Sequence, residues 1–187
     1  MDDEILIIDD EKVDSNRIKQ GWKVLIVDDE PEVHRITKMT LAKFEFDNKP
    51  IEFIHAYTGR EAKAIVTNET DIALVLLDVV METDNAGLDV VRYVRNELHN
   101  QQIRIVLRTG QPGQAPEDDV VVNYDINDYK DKTELTSQKL RTLIRASLRS
   151  YRDICALEHN RKGLEKVIAA SKGIFEKQAL KQFAEGT

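Results

Sequence analysis

Two apolar runs that end in aspartates constrain the fold of this 187-residue chain more than any other feature. Residues 23–27 lead into Asp28 and Asp29, and residues 72–77 lead into Asp78. Such runs are typical of parallel strands that are buried on both faces. The carboxyl ends of parallel strands meet at one edge of an open α/β sheet, so the three carboxylates are predicted to lie together. They would repel by about 4 kcal/mol per close pair at an effective dielectric near 20, which indicates a bound divalent cation.

Two further strand ends add a hydroxyl and an ammonium group to this edge. The mostly apolar run from Ile103 to Leu107 ends at Thr109, after Arg108, and a weaker strand at 126–129 is followed three residues later by Lys132. Together with the carboxylates, these groups suit a transferable phosphoryl group. Asp78 would attack phosphorus to give an aspartyl phosphate. The metal and Lys132 would neutralise the phosphoryl oxygens, and Thr109 would donate a hydrogen bond to them.

In this order, the residues resemble the receiver domain of two-component response regulators, over roughly residues 22–150. The resemblance implies a flavodoxin-like α/β fold, with a doubly wound five-stranded parallel sheet of order 2-1-3-4-5. It also implies the role of each signature residue: Asp28 and Asp29 as the acidic pair, Asp78 as phospho-acceptor, Thr109 as switch hydroxyl, Tyr129 as switch aromatic, Lys132 as the family lysine, and Val80 as a backbone-carbonyl ligand. The implied cofactor is Mg²⁺ or Mn²⁺, bound by Asp28, Asp29, Asp78 and Val80.

A narrower resemblance rests on residues 76–95, 107–116 and 124–136. These stretches are similar to a receiver subclass that precedes a domain of uncharacterised function and an HD-type cyclic-di-GMP phosphodiesterase. The chain contains no adjacent His-Asp pair. We therefore expect it to be a regulatory phospho-acceptor and not an enzyme, with its output in a domain that is missing here.

Two classes of function fit an aspartyl phosphate. In the first, a sensor histidine kinase or a phosphotransfer protein donates to Asp78, and the added charge shifts a two-state surface. The alternative is a phosphatase that resembles the haloacid-dehalogenase type. That chemistry needs an acid two residues after the nucleophile, and Val80 stands there. The residues therefore favour regulation.

Composition limits the partners and the compartment. A net charge of −7, with no basic stripe, argues against direct binding of nucleic acid. No run of 18 apolar residues is present, so a membrane span is not expected. A single cysteine, Cys155, and an acidic amino terminus are typical of a cytoplasmic protein.

Three parts are expected along the chain: an acidic arm at 1–21, the receiver at 22–150, and a helical linker at 151–187. Two glycines and two prolines at 110–116 predict a loop and a short helix at about 117–123. A long helix is predicted over about 135–170, with a break at Gly173. Its imperfect heptad stripe predicts a homodimer through a coiled coil. The predicted seam consists of Ile144, Tyr151, Ile154, Leu157, Leu164 and Ile168.

Overall fold

The computed structural model describes residues 21–110, 128–131 and 136–185, of which 109, 128–131 and 172–185 are described by their backbone alone. Its elements are β1 (Trp22–Val27), α1 (Pro31–Leu41), β2 (Glu45–Phe46), β3 (Lys49–Ala56), α2 (Gly59–Asn68), β4 (Ile72–Asp78), α3 (Ala86–Arg92) with a π-helical turn at Tyr93–Glu97, β5 (Arg104–Thr109), β6 (Asp128–Asp131) and a C-terminal helix (Ser137–Glu185). The predicted acidic arm before Gly21 and the helix predicted at about 117–123 lie outside the described residues.

The sheet confirms the predicted topology. Its strands lie in the order β2-β3-β1-β4-β5-β6, and all pairs are parallel except β2 with β3. Without β2, the five parallel strands have the order 2-1-3-4-5 of the receiver fold. The extra strand forms a hairpin with β3 around Asp47 and Asn48, whose φ angles of 51° and 57° are left-handed. Two-residue hairpin loops favour this conformation, and Asn and Asp tolerate it.

Helices cover both faces of the sheet, which explains why the strands are continuously apolar. Every residue of β4 is buried. One face packs against α2 and α3, through side chains such as Ala62, Val66 and Leu88. The other face packs against α1 and the C-terminal helix, through Leu41 and Ile144 among others. Burial on both faces fixes the register of the strands and thereby the positions of the residues at their ends.

The C-terminal helix is longer than predicted. It continues through Gly173 to Glu185, so the predicted break at that glycine is wrong. A single glycine costs a helix only about 1 kcal/mol relative to alanine. The strong helix formers on both sides of Gly173, such as Lys172 and Lys177, can offset that cost.

The first turns of this helix belong to the α/β domain and not to a free coil. Ile144 is fully buried in the sheet core, and Tyr151 packs against the same core. The prediction that Ile144 forms part of a dimer seam is therefore wrong, because the sheet core already covers it, whereas Tyr151 is half-buried and its place in a seam stays a prediction. Exposed apolar side chains begin farther along, with Leu157 at 68% and Leu164 at 65% exposure.

Contacts on the β2–β3 hairpin fasten the helix where it leaves the sheet. Tyr151 meets the Trp22 ring edge-on at 6.3 Å between centroids. The indole of Trp22 donates to the Phe46 carbonyl at 2.8 Å. One residue farther along the helix, Arg152 pairs with Asp47 in the hairpin turn at 2.9 Å. The hairpin thus holds the helix near the point where it leaves the sheet, and a contact from Cys155 Sγ to Gln102 Oε1 at 3.9 Å follows three residues later.

Candidate functional site

Three aspartates form an acidic cluster at the carboxyl edge of the sheet. One carboxylate oxygen from each of Asp28, Asp29 and Asp78 lies within 4.8 Å of the others. Asp28 follows β1, Asp78 ends β4, and these two strands are neighbours. Asp28 and Asp78 are buried, whereas Asp29 is exposed. The fold thus brings together the three carboxylates that the sequence pattern predicted, while their roles stay predictions.

Asp28 is held from several sides. Its backbone N–H donates to Ala56 on β3 at 3.2 Å, and its Oδ1 accepts from the Glu30 N–H at 3.1 Å. Nε2 of the buried His34 lies 2.7 Å from the Asp28 carbonyl oxygen. These contacts fix the direction of a carboxylate that has no exposed surface.

A buried arginine completes the described part of the site, and the sequence analysis did not identify it. Arg108 is 4% exposed, and its Nη2 lies 3.5 Å from Asp28 Oδ2. Its Nη1 donates to Thr37 Oγ1 on α1 at 3.3 Å. Burial lowers the pKa of this guanidinium and outweighs the opposing attraction of Asp28 and Asp78. The available signal was a charged residue next to Thr109 in a mostly apolar strand.

The other predicted site residues are described only in part. Thr109 is the last residue of β5, and its partner in the sheet is Asp131, which directly precedes Lys132. Tyr129 lies in β6 and pairs with Leu107. Lys132 lies outside the described residues. Val80 is half-buried in the loop after β4, two residues beyond Asp78.

The loop after β4 depends on a glycine and a glutamate. The Gly87 N–H donates to the Val79 carbonyl at 3.0 Å, and a Cβ on Gly87 would lie 2.1 Å from the Asp78 carbonyl oxygen. On the other side of the loop, Glu82 Oε1 accepts from the Gly59 N–H at 2.8 Å, where α2 begins. A carboxylate is favourable at a helix amino terminus. The loop that follows Asp78 is therefore fixed between α2 and α3.

A histidine pair lies beside the acidic cluster. The Nδ1 atoms of His34 and His55 are 2.9 Å apart, so one ring must donate and the other accept. Desolvation lowers the pKa of His55, and the charges of His34 and Lys38 lower it further. A histidine with a lowered folded-state pKa binds fewer protons than the unfolded chain near the ordinary value of about 6.5. The free energy of unfolding should therefore fall as the pH drops through this range.

We expect the replacement His55→Gln to weaken this pH dependence. Urea unfolding of both proteins, followed by Trp22 fluorescence at pH 7.5 and pH 5.5, measures the effect. The variant should lose less unfolding free energy between these values than the wild type, since the carboxylates titrate in both. His159→Gln, at an exposed position of the C-terminal helix, is the control and should keep the wild-type dependence. Equal slopes for wild type and His55→Gln would contradict the prediction.

The acidic cluster suits a hard divalent cation. In the described part of the chain it is the one group of three such candidate ligands, and all three donors are carboxylate oxygens. Mg²⁺ and Mn²⁺ prefer oxygen ligands, whereas zinc sites generally contain sulfur or nitrogen. Such an ion would be bound by Asp28, Asp29 and Asp78. Asp78 also lies at the crevice where open α/β sheets bind ligands.

Comparison with known proteins agrees with the fold. The response regulator receiver domain model matches residues 24–145. The chain therefore belongs to the response regulator receiver family. Residues 144–187 match a second family, described as a domain of unknown function, DUF3369.

Two relatives define the comparison further. The chain is 52% identical over 166 residues to the 3′3′-cGAMP-specific phosphodiesterase 2 of Vibrio cholerae serotype O1, covering 89% of this chain and 32% of that protein. The chain thus spans about a third of the length of this relative. It is also 32% identical over 93 residues to a chemotaxis protein CheY homolog of Campylobacter jejuni, covering 50% of this chain and 68% of that protein.

Solved structures support the fold. A response regulator receiver domain protein from Clostridium thermocellum has a TM-score of 0.60 at 20% identity, covering 71% of this chain and 98% of its own. The receiver domain of an HD domain-containing protein from Pseudomonas fluorescens Pf-5 has a TM-score of 0.61 at 16% identity, covering 72% and 99%.

One prediction needs correction. The sequence analysis expected a regulatory protein that is not an enzyme. The Vibrio cholerae relative, at 52% identity, is named as a phosphodiesterase and therefore as an enzyme. This relative contradicts the expectation, because the absence of a His-Asp pair within these 187 residues says nothing about the activity of a protein three times as long.

Among the described helices, none combines the length and hydropathy that a membrane span requires.

Proposed function

We propose that this receiver accepts a phosphoryl group on Asp78 from a sensor histidine kinase or a phosphotransfer protein. The observation that carries the proposal is the cluster of three carboxylates around the end of β4. Receiver domains are generally phosphorylated by histidine kinases, which supports the donor class. The Asp78 carboxylate would form a bond to phosphorus as the phosphorus–nitrogen bond of the donor phosphohistidine breaks. The relatives above give no support to the phosphatase alternative.

The other site residues would bind and report the phosphoryl group. Asp28 and Asp29, with Asp78 and the Val80 carbonyl, would bind Mg²⁺ or Mn²⁺, which supplies charge neutralisation for the phosphoryl oxygens. Lys132 would add a second cation. Thr109 would move towards the phosphoryl group and donate a hydrogen bond to it. Tyr129, as the switch aromatic, would respond to the movement of Thr109. The pairing of Thr109 with Asp131, which precedes Lys132 in the sequence, supports this proposal.

We further propose that the receiver regulates a cyclic-dinucleotide phosphodiesterase. The Vibrio cholerae relative supports this output, and its name favours 3′3′-cGAMP over the cyclic di-GMP suggested by the subclass resemblance. In this arrangement residues 1–21 form an arm, 22–150 the receiver and 151–187 the linker to the output. The family matches at 24–145 and 144–187 support a boundary in the first turns of the C-terminal helix.

Intact mass spectrometry tests phosphorylation directly. The chain should gain about 80 Da when treated with acetyl phosphate and Mg²⁺. The same treatment with excess chelator should leave the mass unchanged, since the uncompensated carboxylates would repel the phosphodonor. An unchanged mass with Mg²⁺ present would contradict the proposal, and so would an equal gain with chelator.

We propose that the exposed portion of the C-terminal helix forms a parallel homodimer. Leu157 and Leu164 are seven residues apart, and Val167 completes the heptad spacing three residues later. All three are more than 60% exposed in the single chain, as is Ile168. Pairing would remove these side chains from water, and each large one would contribute up to roughly 1.5–3 kcal/mol.

Light scattering of Leu164→Glu checks this proposal. The wild-type chain should be a dimer at tens of micromolar, and the variant a monomer, because a charge in the seam would have to be desolvated. Lys166→Glu introduces the same side chain two residues away, at a heptad position outside the seam, and should remain a dimer. A wild-type monomer at this concentration would overturn the proposal.

A further inference from the structure

We propose that Arg108 is a resident cation of the acidic cluster and that it determines how tightly the cluster binds a divalent metal. In this role Arg108 is a positioning residue: it competes with the metal for Asp28 and holds that carboxylate when no metal is bound. The inference rests on the proposed function, because it concerns the same metal site. It adds a residue that the receiver signature does not contain.

The sheet register aligns Arg108 with two of the three carboxylates. Asp78 on β4 pairs with Arg108 on β5, and Val27, which precedes Asp28, pairs with Leu77, which precedes Asp78. Side chains alternate along a strand, so residues two positions apart share a face. Ile26, Leu76 and Val106 all lie in the core on the face of α1 and the C-terminal helix. Asp28, Asp78 and Arg108 therefore continue the same row on that face.

The guanidinium of Arg108 has hydrogen-bond donors that its described contacts do not satisfy. Arg108 is 96% buried, yet neither its Nε nor its Nη2 makes a hydrogen bond within the part of the chain that the structure describes. Its Nη2 lies 3.5 Å from Asp28 Oδ2, a distance for charge attraction without a good hydrogen bond. A buried arginine that served only the fold would be expected to satisfy its donors. Spare donors beside an acidic site indicate a cation that can adjust its partners.

Arg108 and a metal ion would act on the same carboxylate. A divalent ion bound to Asp28 meets a positive charge only a few ångströms away, and the low-dielectric surroundings strengthen the repulsion. The guanidinium also offsets part of the negative charge of the carboxylates, which is what attracts the metal. Removing the guanidinium should therefore make the metal bind more tightly. This direction is informative, since general damage to the site would make it bind more weakly.

Calorimetric titration of the full chain with Mg²⁺ and with Mn²⁺ tests the inference. Arg108→Met keeps much of the side-chain volume and should bind both ions at least about tenfold more tightly than the wild type. Arg108→Lys keeps the charge and should stay near the wild-type affinity. Arg104→Met is the matched control, because Arg104 is a buried arginine at the opposite end of the same strand. Its affinity should equal that of the wild type.

A measurement on the wild-type protein does not depend on a variant that folds. Titration with Mg²⁺ should shift the Nε–H resonance of Arg108 in nitrogen–proton spectra, because the metal would replace Arg108 as the partner of the Asp28 carboxylate. The resonance of Arg104 should not shift. Unchanged or weaker metal binding by a folded Arg108→Met, or an unmoved Arg108 resonance at metal saturation, would overturn the inference. If the wild type binds neither ion at millimolar concentration, the proposed metal site itself fails, which is a distinguishable result.

Discussion

Replacing Asp78 by asparagine is expected to abolish the gain of about 80 Da on treatment with acetyl phosphate and Mg²⁺. An amide lacks the charged oxygen that attacks phosphorus, while its size and shape are those of the carboxylate. Asp78 is only 3% exposed and lies among other carboxylates, so the neutral amide also relieves repulsion. The variant should therefore fold at least as stably as the wild type without metal. Intact mass and urea unfolding measure the two effects.

Asp84→Asn is the matched control for this experiment. Asp84 is exposed in the loop between β4 and α3, outside the acidic cluster, and undergoes the same chemical change. This variant should gain the full phosphoryl mass. Labelling that persists in Asp78→Asn, or that disappears in Asp84→Asn, would remove Asp78 from its proposed role.

The replacement Gly87→Ala is expected to destabilise the domain by about 3 kcal/mol, the upper end of the usual cost of overpacking. The new methyl group would lie 2.1 Å from the Asp78 carbonyl oxygen and 2.9 Å from the Val79 Cα. Both are backbone atoms, which cannot rotate away as a side chain can. The amino terminus of α3 must then separate from β4, and the hydrogen bond from Gly87 to Val79 is lost. Urea unfolding measures the loss, and phosphorylation should slow because the Asp78 loop moves.

Gly163→Ala provides the opposite expectation for the same chemical change. A Cβ on Gly163 meets no described atom within 4 Å, and this glycine lies inside the C-terminal helix. Alanine should therefore raise helix stability by about 0.5–1 kcal/mol. Helix content by circular dichroism checks the direction. For Gly87→Ala, an unfolding free energy equal to that of the wild type would contradict the prediction, because the contact between α3 and β4 would then tolerate a methyl group.

The part of the fold that the sequence predicted is the part that burial on both faces determines. Long apolar runs gave β1 and β4, and the receiver resemblance gave the strand order that the structure confirms. Strand ends also predicted that Asp28, Asp29 and Asp78 would lie together, because parallel strands present their carboxyl ends at one edge. The chemical roles of these residues are open to the experiments above.

The missed features depend on contacts that are distant in sequence. Arg108 is one of two arginines in a mostly apolar strand, and only the register with Asp78 shows which charges it meets. The β2–β3 hairpin is too short for a periodic pattern, although Asp47-Asn48 is a pair that tolerates left-handed turns. Ile144 and Tyr151 fitted a heptad because a helix that packs on a sheet repeats its apolar residues at nearly the same spacing.

The attachment of the C-terminal helix to the hairpin turns a small change in the receiver into a large displacement. From Arg152 to Glu185 the helix extends about 50 Å at 1.5 Å per residue. A tilt of about 10° at its base would move the far end by about 9 Å, if the helix stays straight over that length. The salt bridge between Arg152 and Asp47 lies near the base of this helix segment. A side-chain rearrangement of an ångström or two at this base would thus become a displacement several times larger at the far end of the helix.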